Sequence, residues 1–242
     1  MRLLLIRHGQ TPSNVLGRLD TDAPGPGLTE LGEEQAEAVT DALDGRYPQA
    51  IFASPLLRTQ LTAAPLARHL DLPITILPGL REVEAGELED RSDPVSVHLY
   101  LSTCFAWAQG ELDVRMPGAA DGHEFFARYD EAIAAIVAAA DPDVDVAAAF
   151  SHGMAIRVWA ANRSGNISDT FASTHELLNT GMVTLDSVDP DGPDGPAGWT
   201  LVDWHAEPIS GAELEDVTAI DPLSRTLSTV RDAPPPHPTS VP

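Results

Sequence analysis

Three short stretches of this chain place a histidine or an arginine beside residues that end a strand. They are Arg7-His8-Gly9, Ser54-Pro55 with Arg58 one turn further on, and Ser151-His152-Gly153. These residue types suit phosphoryl transfer. Arginine offers a planar fork of donors that matches phosphate oxygens and keeps its charge at any working pH. Two guanidinium groups can neutralise a transferring phosphoryl group without a metal, because that chemistry is mostly positioning and charge stabilisation. A histidine that is neutral near its ordinary pKa of about 6.5 can attack phosphorus and carry the group covalently. Glu82 can protonate a leaving oxygen if burial lifts it above the ordinary glutamate value of about 4.3, and Glu84 and Glu87 are rivals for that job. The glycines after both histidines let backbone N–H groups come close to a phosphate.

Such residues need elements to bring them together. Arg2 to Ile6 is a continuous apolar run, the pattern of a strand buried on both faces in a parallel sheet. A Gly/Pro-rich loop, Asp22 to Gly27, leads to a helix capped by Thr29 and ended by Gly45. Ala50 to Ser54 is a second strand, with Ser54 as cap and Pro55 in the first turn of the helix that carries Arg58. Ile74 to Leu77 is a third. A helix is expected around Val95 to Gln109, another over EFFARYDEAIAAIVAAA, and a buried strand from Val144 that ends in the Ser151-His152-Gly153 stretch. A helix over Ala155 to Asn162 follows. Met182 to Leu185 and Trp199 to Val202 read as later strands around the acidic turn DPDGPDGPAG.

This alternation predicts an α/β fold of three layers, a central mostly parallel sheet flanked by helices. In such sheets ligands bind beyond the carboxyl ends of the strands, so the three polar endings would share one edge. The expected domain covers residues 1–205. Residues 206–242 form a polar, proline-rich C-terminal segment whose last dozen residues are expected to be flexible.

Composition narrows the partners. At 242 residues and 43% hydrophobic content the chain can bury one substantial core. A net charge of −23 argues against nucleic acid and anionic membrane surfaces. It would also repel a phosphate at long range, although screening limits this to about 8 Å at cellular salt. A phosphate site therefore needs its own nest of positive charge, and every basic residue here is arginine. One cysteine, Cys104, fits a reducing cytoplasm, and no apolar run is long enough for a membrane span or a signal peptide. The expected ligand is a small phosphorylated metabolite, with no cofactor and no metal; a homodimer is compatible with the sequence.

LIRHGQTPSN, which begins at Leu5, resembles the signature of the histidine phosphatase superfamily, also called phosphoglycerate mutase-like. SPLLRTQLTA resembles its second arginine motif, LREVEAGELE its acid/base segment and FSHG its second histidine motif, all in the family's order between about Arg2 and Leu185. The resemblance implies a phosphoglycerate mutase-like fold and His8 as the nucleophile that becomes phosphohistidine. Arg7, Arg58, His152 and the Gly153 backbone would complete the phosphate pocket. Asn14 would bind a phosphate oxygen or hold the loop, and Glu82 would be the proton donor with Gly86 behind it.

Mutases of this family carry a lysine and an arginine pair after the acid/base glutamate. The corresponding stretch here has only the isolated Arg91 and Arg115. Hydrolysis of a phosphomonoester is therefore expected over phosphoglycerate mutase-type transfer. One departure stands out: where many relatives carry Gly-Glu-Ser after Pro-Gly, this chain reads Ala119-Ala120-Asp121 after Pro117-Gly118. That change keeps a third reading open, a non-catalytic phospholigand-binding protein. His69, His98, His123, His175, His205 and His237 lack motif context and are read as structural or solvent-facing, and Phe125, Phe126 and Tyr129 as helix packing.

Overall fold

A computed structural model describes residues 1–43, 45–139, 145–188, 198–209, 211–224 and 226. The acidic turn, apart from Gly198, and the last dozen residues lie outside them.

The centre of the molecule is strand β1 (Arg2–Arg7), whose Leu3, Leu5 and Ile6 are wholly buried. Two short helices follow, α1 (Pro12–Leu16) and α2 (Glu30–Ala42). Thr11 caps α1 in a reciprocal box with Asn14, and Thr29 caps α2 by accepting from Gly32 N. Strand β2 (Ala50–Ala53), helix α3 (Leu57–Leu70) and strand β3 (Ile74–Ile76) form the next unit. Helices α4 (Pro94–Ala108) and α5 (Gly122–Ala139) precede strand β4 (Val146–Ser151) and helix α6 (Gly153–Arg163). A single turn, α7 (Phe171–Thr174), leads to strands β5 (Met182–Ser187) and β6 (Trp199–His205).

The six strands run in the order β3-β2-β4-β1-β5-β6. The first four are mutually parallel, and β5 and β6 add antiparallel. Alternation along β1 divides the core in two. Leu3 and Leu5 join Phe52, Ala147 and Ala149 in a cluster with α4, α5 and α6. Leu4 and Ile6 join Ile51, Ala53, Ala148 and Phe150 in a second cluster with residues of α2 and α3. Burial on both faces is why these strands read as unbroken apolar runs. The run of small alanines in β4 leaves room for helices to approach the sheet from both sides.

Two local expectations fail. Helix α2 stops at Ala42, and Gly45 lies in the turn beyond it with φ +73°. Ser54 does not cap α3: that helix starts at Leu57 after Leu56, which gives no side-chain cap. The Ser54 hydroxyl accepts from Leu56 N and is also bonded to His152, so its capping geometry is spent on the neighbouring strand's ending.

The segment after Ala206 folds back onto the domain. Gln35 Nε2 donates to Leu214 O, Gln10 Nε2 to Asp216 Oδ2, and Leu177 N to Ser224 O. Residues 211–224 thus lie against the carboxyl edge of β1.

Candidate active site

Strands β1, β2 and β4 end at one edge, and their endings meet. The His8 and His152 rings are 5.2 Å apart, edge to face. Arg58 Nε donates to His8 Nε2 at 3.1 Å. Arg7, His8, Arg58, Glu82 and His152 are each 2% exposed or less. The sequence expectation that distant segments bring two imidazoles and two guanidiniums together matches this geometry.

His8 is held as a defined tautomer. Its Nδ1 lies 2.8 Å from Gly9 O, which can only accept, so Nδ1 carries the proton. Nε2 accepts from Arg58 and therefore keeps its lone pair. Burial, then the charges of Arg58 and Arg7, push the ring well below its ordinary value. The His8 carbonyl accepts from Asn179 Nδ2 at 3.1 Å and Thr180 N at 3.3 Å, and Gly9 N donates to Thr62 Oγ1 at 2.9 Å.

His152 is fixed through Nε2, which lies 2.8 Å from Ser54 Oγ. Burial and Arg58 hold this ring well below its ordinary value too. Its Nδ1 makes no hydrogen bond with any described residue, and the same holds for Arg7 Nε and Arg58 Nη1. Buried donors and acceptors are nearly always partnered in native proteins; with Asp20 beside Arg58 Nη1, His152 Nδ1 and Arg7 Nε are the two buried atoms near His8 that a ligand would satisfy.

Arg58 is steered by the loop after α1. Its Nη2 donates to Asp20 O at 2.9 Å, and Nη1 stands 3.6 Å from the Asp20 carboxylate. Burial lowers its pKa, and Asp20 opposes that shift. The loop itself is tied down by Thr21, whose N and Oγ1 donate to the Glu89 carboxylate. Arg7 packs against Gly153, where a Cβ would come within 2.9 Å of Nε. A side chain there would push the Arg7 guanidinium aside and crowd Leu223 O at 3.1 Å.

Glu82 is separated from its rivals by burial. Glu84 pairs with Arg81 at the surface and Glu87 is exposed. Glu82 Oε1 accepts from Val83 N at 2.8 Å and Ala155 N at 2.7 Å, and Oε2 accepts from Met154 N at 3.2 Å. It thereby caps α6, whose own N-cap, His152, offers no side-chain bond. Burial raises the Glu82 pKa, while the three N–H donors and Arg58 pull the other way. The balance is upward. The segment is seated by Arg128, which donates to the carbonyls of Gly79, Arg81 and Glu82. It is also seated by Gly86, with φ +57°, where a Cβ would lie 2.3 Å from Pro117 O.

Asn14 serves the loop. Its Oδ1 accepts from Thr11 N, Thr11 Oγ1 and Asn179 Nδ2. The departure at Ala119-Ala120-Asp121 has a structural role: Asp121 accepts from Glu124 N at the start of α5 and pairs with Arg115 at 2.7 Å. Tyr129, fully buried, donates to Ser151 Oγ and packs among aromatic rings. Among the described residues no group of three or more His, Cys, Asp or Glu side chains is placed to hold a metal ion.

Sequence reading missed Asp20, Ser54, Arg128, Asn179 and Asp221. Two of these left a signal. Arg128 sits in the apolar stripe Phe125, Tyr129, Ala132 of α5, where a charge needs buried partners. Asn179-Thr180-Gly181 is turn punctuation before β5, and because β5 is antiparallel its start lies at the edge where β1 ends.

A doubly flanked α/β sheet with histidines and arginines gathered at its carboxyl edge defines the class. Residues 3–194 match the family model for the histidine phosphatase superfamily (branch 1), and the chain belongs to that family. PE-PGRS family protein PE_PGRS11 of Mycobacterium tuberculosis is 39% identical over 231 residues, 89% of this chain and 38% of that protein. Glucosyl-3-phosphoglycerate phosphatase of Mycolicibacterium vanbaalenii is 40% identical over 90 residues, 36% of this chain and 38% of that protein. The match thus spans little more than a third of the length of either relative. The structure of a mycobacterial glucosyl-3-phosphoglycerate phosphatase complexed with VO3 superposes with a TM-score of 0.69 at 24% identity, covering 85% of this chain and 99% of that one. At that identity the likeness is one of fold.

Proposed function

We propose that the chain is a metal-independent phosphomonoesterase that works through a phosphohistidine on His8. The observation that carries this reading is the His8 tautomer: a proton fixed on Nδ1, a lone pair on Nε2, and Arg58 at 3.1 Å from the attacking atom. Nε2 attacks phosphorus as the bond to the leaving oxygen breaks. Glu82 gives that oxygen its proton, carried on Oε2, the oxygen with the single and longer N–H contact. The Glu82 carboxylate then takes a proton from water, whose oxygen attacks the phosphohistidine and frees inorganic phosphate. Arg7, Arg58, His152 and the Gly153 N–H bind the phosphoryl oxygens. With Nε2 of His152 held at 2.8 Å from Ser54 Oγ, Nδ1 is the ring nitrogen left to face a phosphate oxygen.

The names of relatives support phosphatase chemistry on a small phosphorylated substrate, and the lone Cys104 is the ground for reading the compartment as cytoplasm. Arg91 and Arg115, the isolated cations after Glu82, are engaged by Asp93 and by Asp121 and Glu124. This favours water over a second phosphorylated sugar acid as acceptor.

Turnover of an aryl phosphate in EDTA tests the proposal. We expect full activity without added metal, an acid-labile phosphoenzyme on rapid quench, and loss of turnover to background in His8→Ala. Wild-type rates in that variant would remove His8 as nucleophile, and a strict metal requirement would remove the mechanism.

A further inference from the structure

Arg7 is an unusual phosphate ligand, because a carboxylate already holds it. Asp221 Oδ2 pairs with Nη2 in a buried contact, and both side chains are at most 5% exposed. Nη1 donates to Ser224 Oγ and to Leu177 O at 2.7 Å. The carboxylate is itself fixed by its own turn, accepting from Leu223 N at 3.2 Å and Ser224 Oγ at 2.5 Å. A second buried cation anchors that turn: Arg157 Nη1 donates to Leu223 O at 3.0 Å.

A carboxylate on a phosphate-binding arginine has two physical readings. It can mimic the phosphate and compete with it, or it can hold the guanidinium so that its remaining donors face the ligand. The donor count decides between them. A guanidinium has five N–H groups. Two on Nη1 are taken by Ser224 and Leu177, and one on Nη2 by Asp221. The Nε–H has no partner among the described residues, although it is buried. The far end of the fork is occupied and the Nε side is not. A mimic would take the donors meant for the ligand; here the contacts leave a side-on pair, Nε with the second Nη2 proton, next to Gly153. Such a pair matches two oxygens of one phosphate.

We propose that Asp221, supported by Ser224, is a positioning residue that orients Arg7 toward the phosphoryl group, so that the segment after Ala206 completes the site. The inference rests on reading the site as a phosphate pocket. It adds a charge from outside the four motifs, and from outside residues 3–194 matched by the family model.

The experiment measures the affinity of the full chain for inorganic phosphate, by direct titration and as competitive inhibition of aryl phosphate turnover. Asp221→Ala is expected to weaken phosphate about tenfold to a hundredfold, the range for a hydrogen bond to a charged group, and Ser224→Ala less in the same direction. Asp221→Asn, which keeps an acceptor, is expected to fall between wild type and Asp221→Ala. In an Arg7→Ala background, Asp221→Ala should cause no further loss; a loss of the same size in both backgrounds would mean the segment only stabilises the fold. Tighter phosphate binding in Asp221→Ala would establish competition and overturn positioning, as would unchanged affinity in both Asp221→Ala and Ser224→Ala. If Asp221→Ala does not fold, Ser224→Ala alone decides by the same signs. A wild-type chain that binds phosphate without hydrolysing esters would sink the proposed function and leave this inference standing, whereas one that binds no phosphate would sink both.

Discussion

Two populations of arginine coexist in this molecule. On the surface, Arg2 pairs with Asp186, Arg68 with Glu37 and Arg115 with Asp121, each with its side chain about half or more exposed. Such pairs contribute from nothing to about 1 kcal/mol and weaken with salt. At the carboxyl edge of the sheet, Arg7 and Arg58 are buried and gripped by backbone carbonyls and carboxylates, and Arg7 Nε is left without a hydrogen bond among the described residues. Burying a cation is costly, and leaving a buried donor unpaired adds about 1–3 kcal/mol. At Arg7 a bound phosphate would offset that cost. The contrast also explains how a chain of net charge −23 can attract an anion. Surface charge is screened over about 8 Å, but cations in a low-dielectric pocket are not.

The sharpest way to break this comparison is to delete one member of each population. Arg58→Ala removes the guanidinium that touches His8 Nε2, and kcat/KM is expected to fall by about 10²- to 10³-fold, the usual loss for one preorganised donor at a developing charge. Arg68→Ala, on the same helix α3, should leave kcat/KM within about twofold and stability within about 0.5 kcal/mol. Similar losses for both would mean that burial does not distinguish working arginines from decorative ones.

The same contrast holds for carboxylates. Glu84 is paired at the surface, whereas Glu82 is buried with its pKa raised. Glu82→Gln keeps the α6 capping contacts in outline but removes the transferable proton. The expected loss is about 10²-fold on alkyl phosphates, whose leaving oxygen must be protonated, and far less on p-nitrophenyl phosphate, whose leaving group departs as an anion. Equal losses on both substrates would assign Glu82 to capping alone.

How much of this was legible follows from distance along the chain. β1, β2 and β4 were readable because strands buried on both faces become apolar runs, and their polar endings pointed to one edge. His8, Arg58 and His152 came with those endings. Ser54 misled because a Ser-Pro pair carries the local signal of a helix cap, while its hydroxyl answers to His152, 98 residues away. Asp221 was not readable at all. Nothing in Ile220-Asp221-Pro222 marks the aspartate as a partner of an arginine 214 residues earlier, and the polar, proline-rich composition of residues 206–242 gives no sign of a contact with the sheet edge. Long-range pairing leaves no local trace unless a charge interrupts an apolar stripe, as Arg128 does in α5.

The two site histidines extend the comparison to pH, with the smallest effect. Both rings are held well below their ordinary value, chiefly by burial and by Arg58. Above about pH 6.5 they are neutral in the folded and unfolded chain alike and do not affect stability. As pH falls below that value the unfolded chain binds protons that the folded chain refuses, so stability declines until the folded-state pKa values are reached. Each ring contributes a slope of at most about 1.4 kcal/mol per pH unit. Denaturant melts of the wild type between about pH 7 and 5 are therefore expected to show a falling midpoint, with a shallower fall in His152→Asn. A slope that persists in full after His152 is replaced would place the acid sensitivity elsewhere, and with it the claim that the fold keeps these imidazoles neutral for attack and hydrogen bonding.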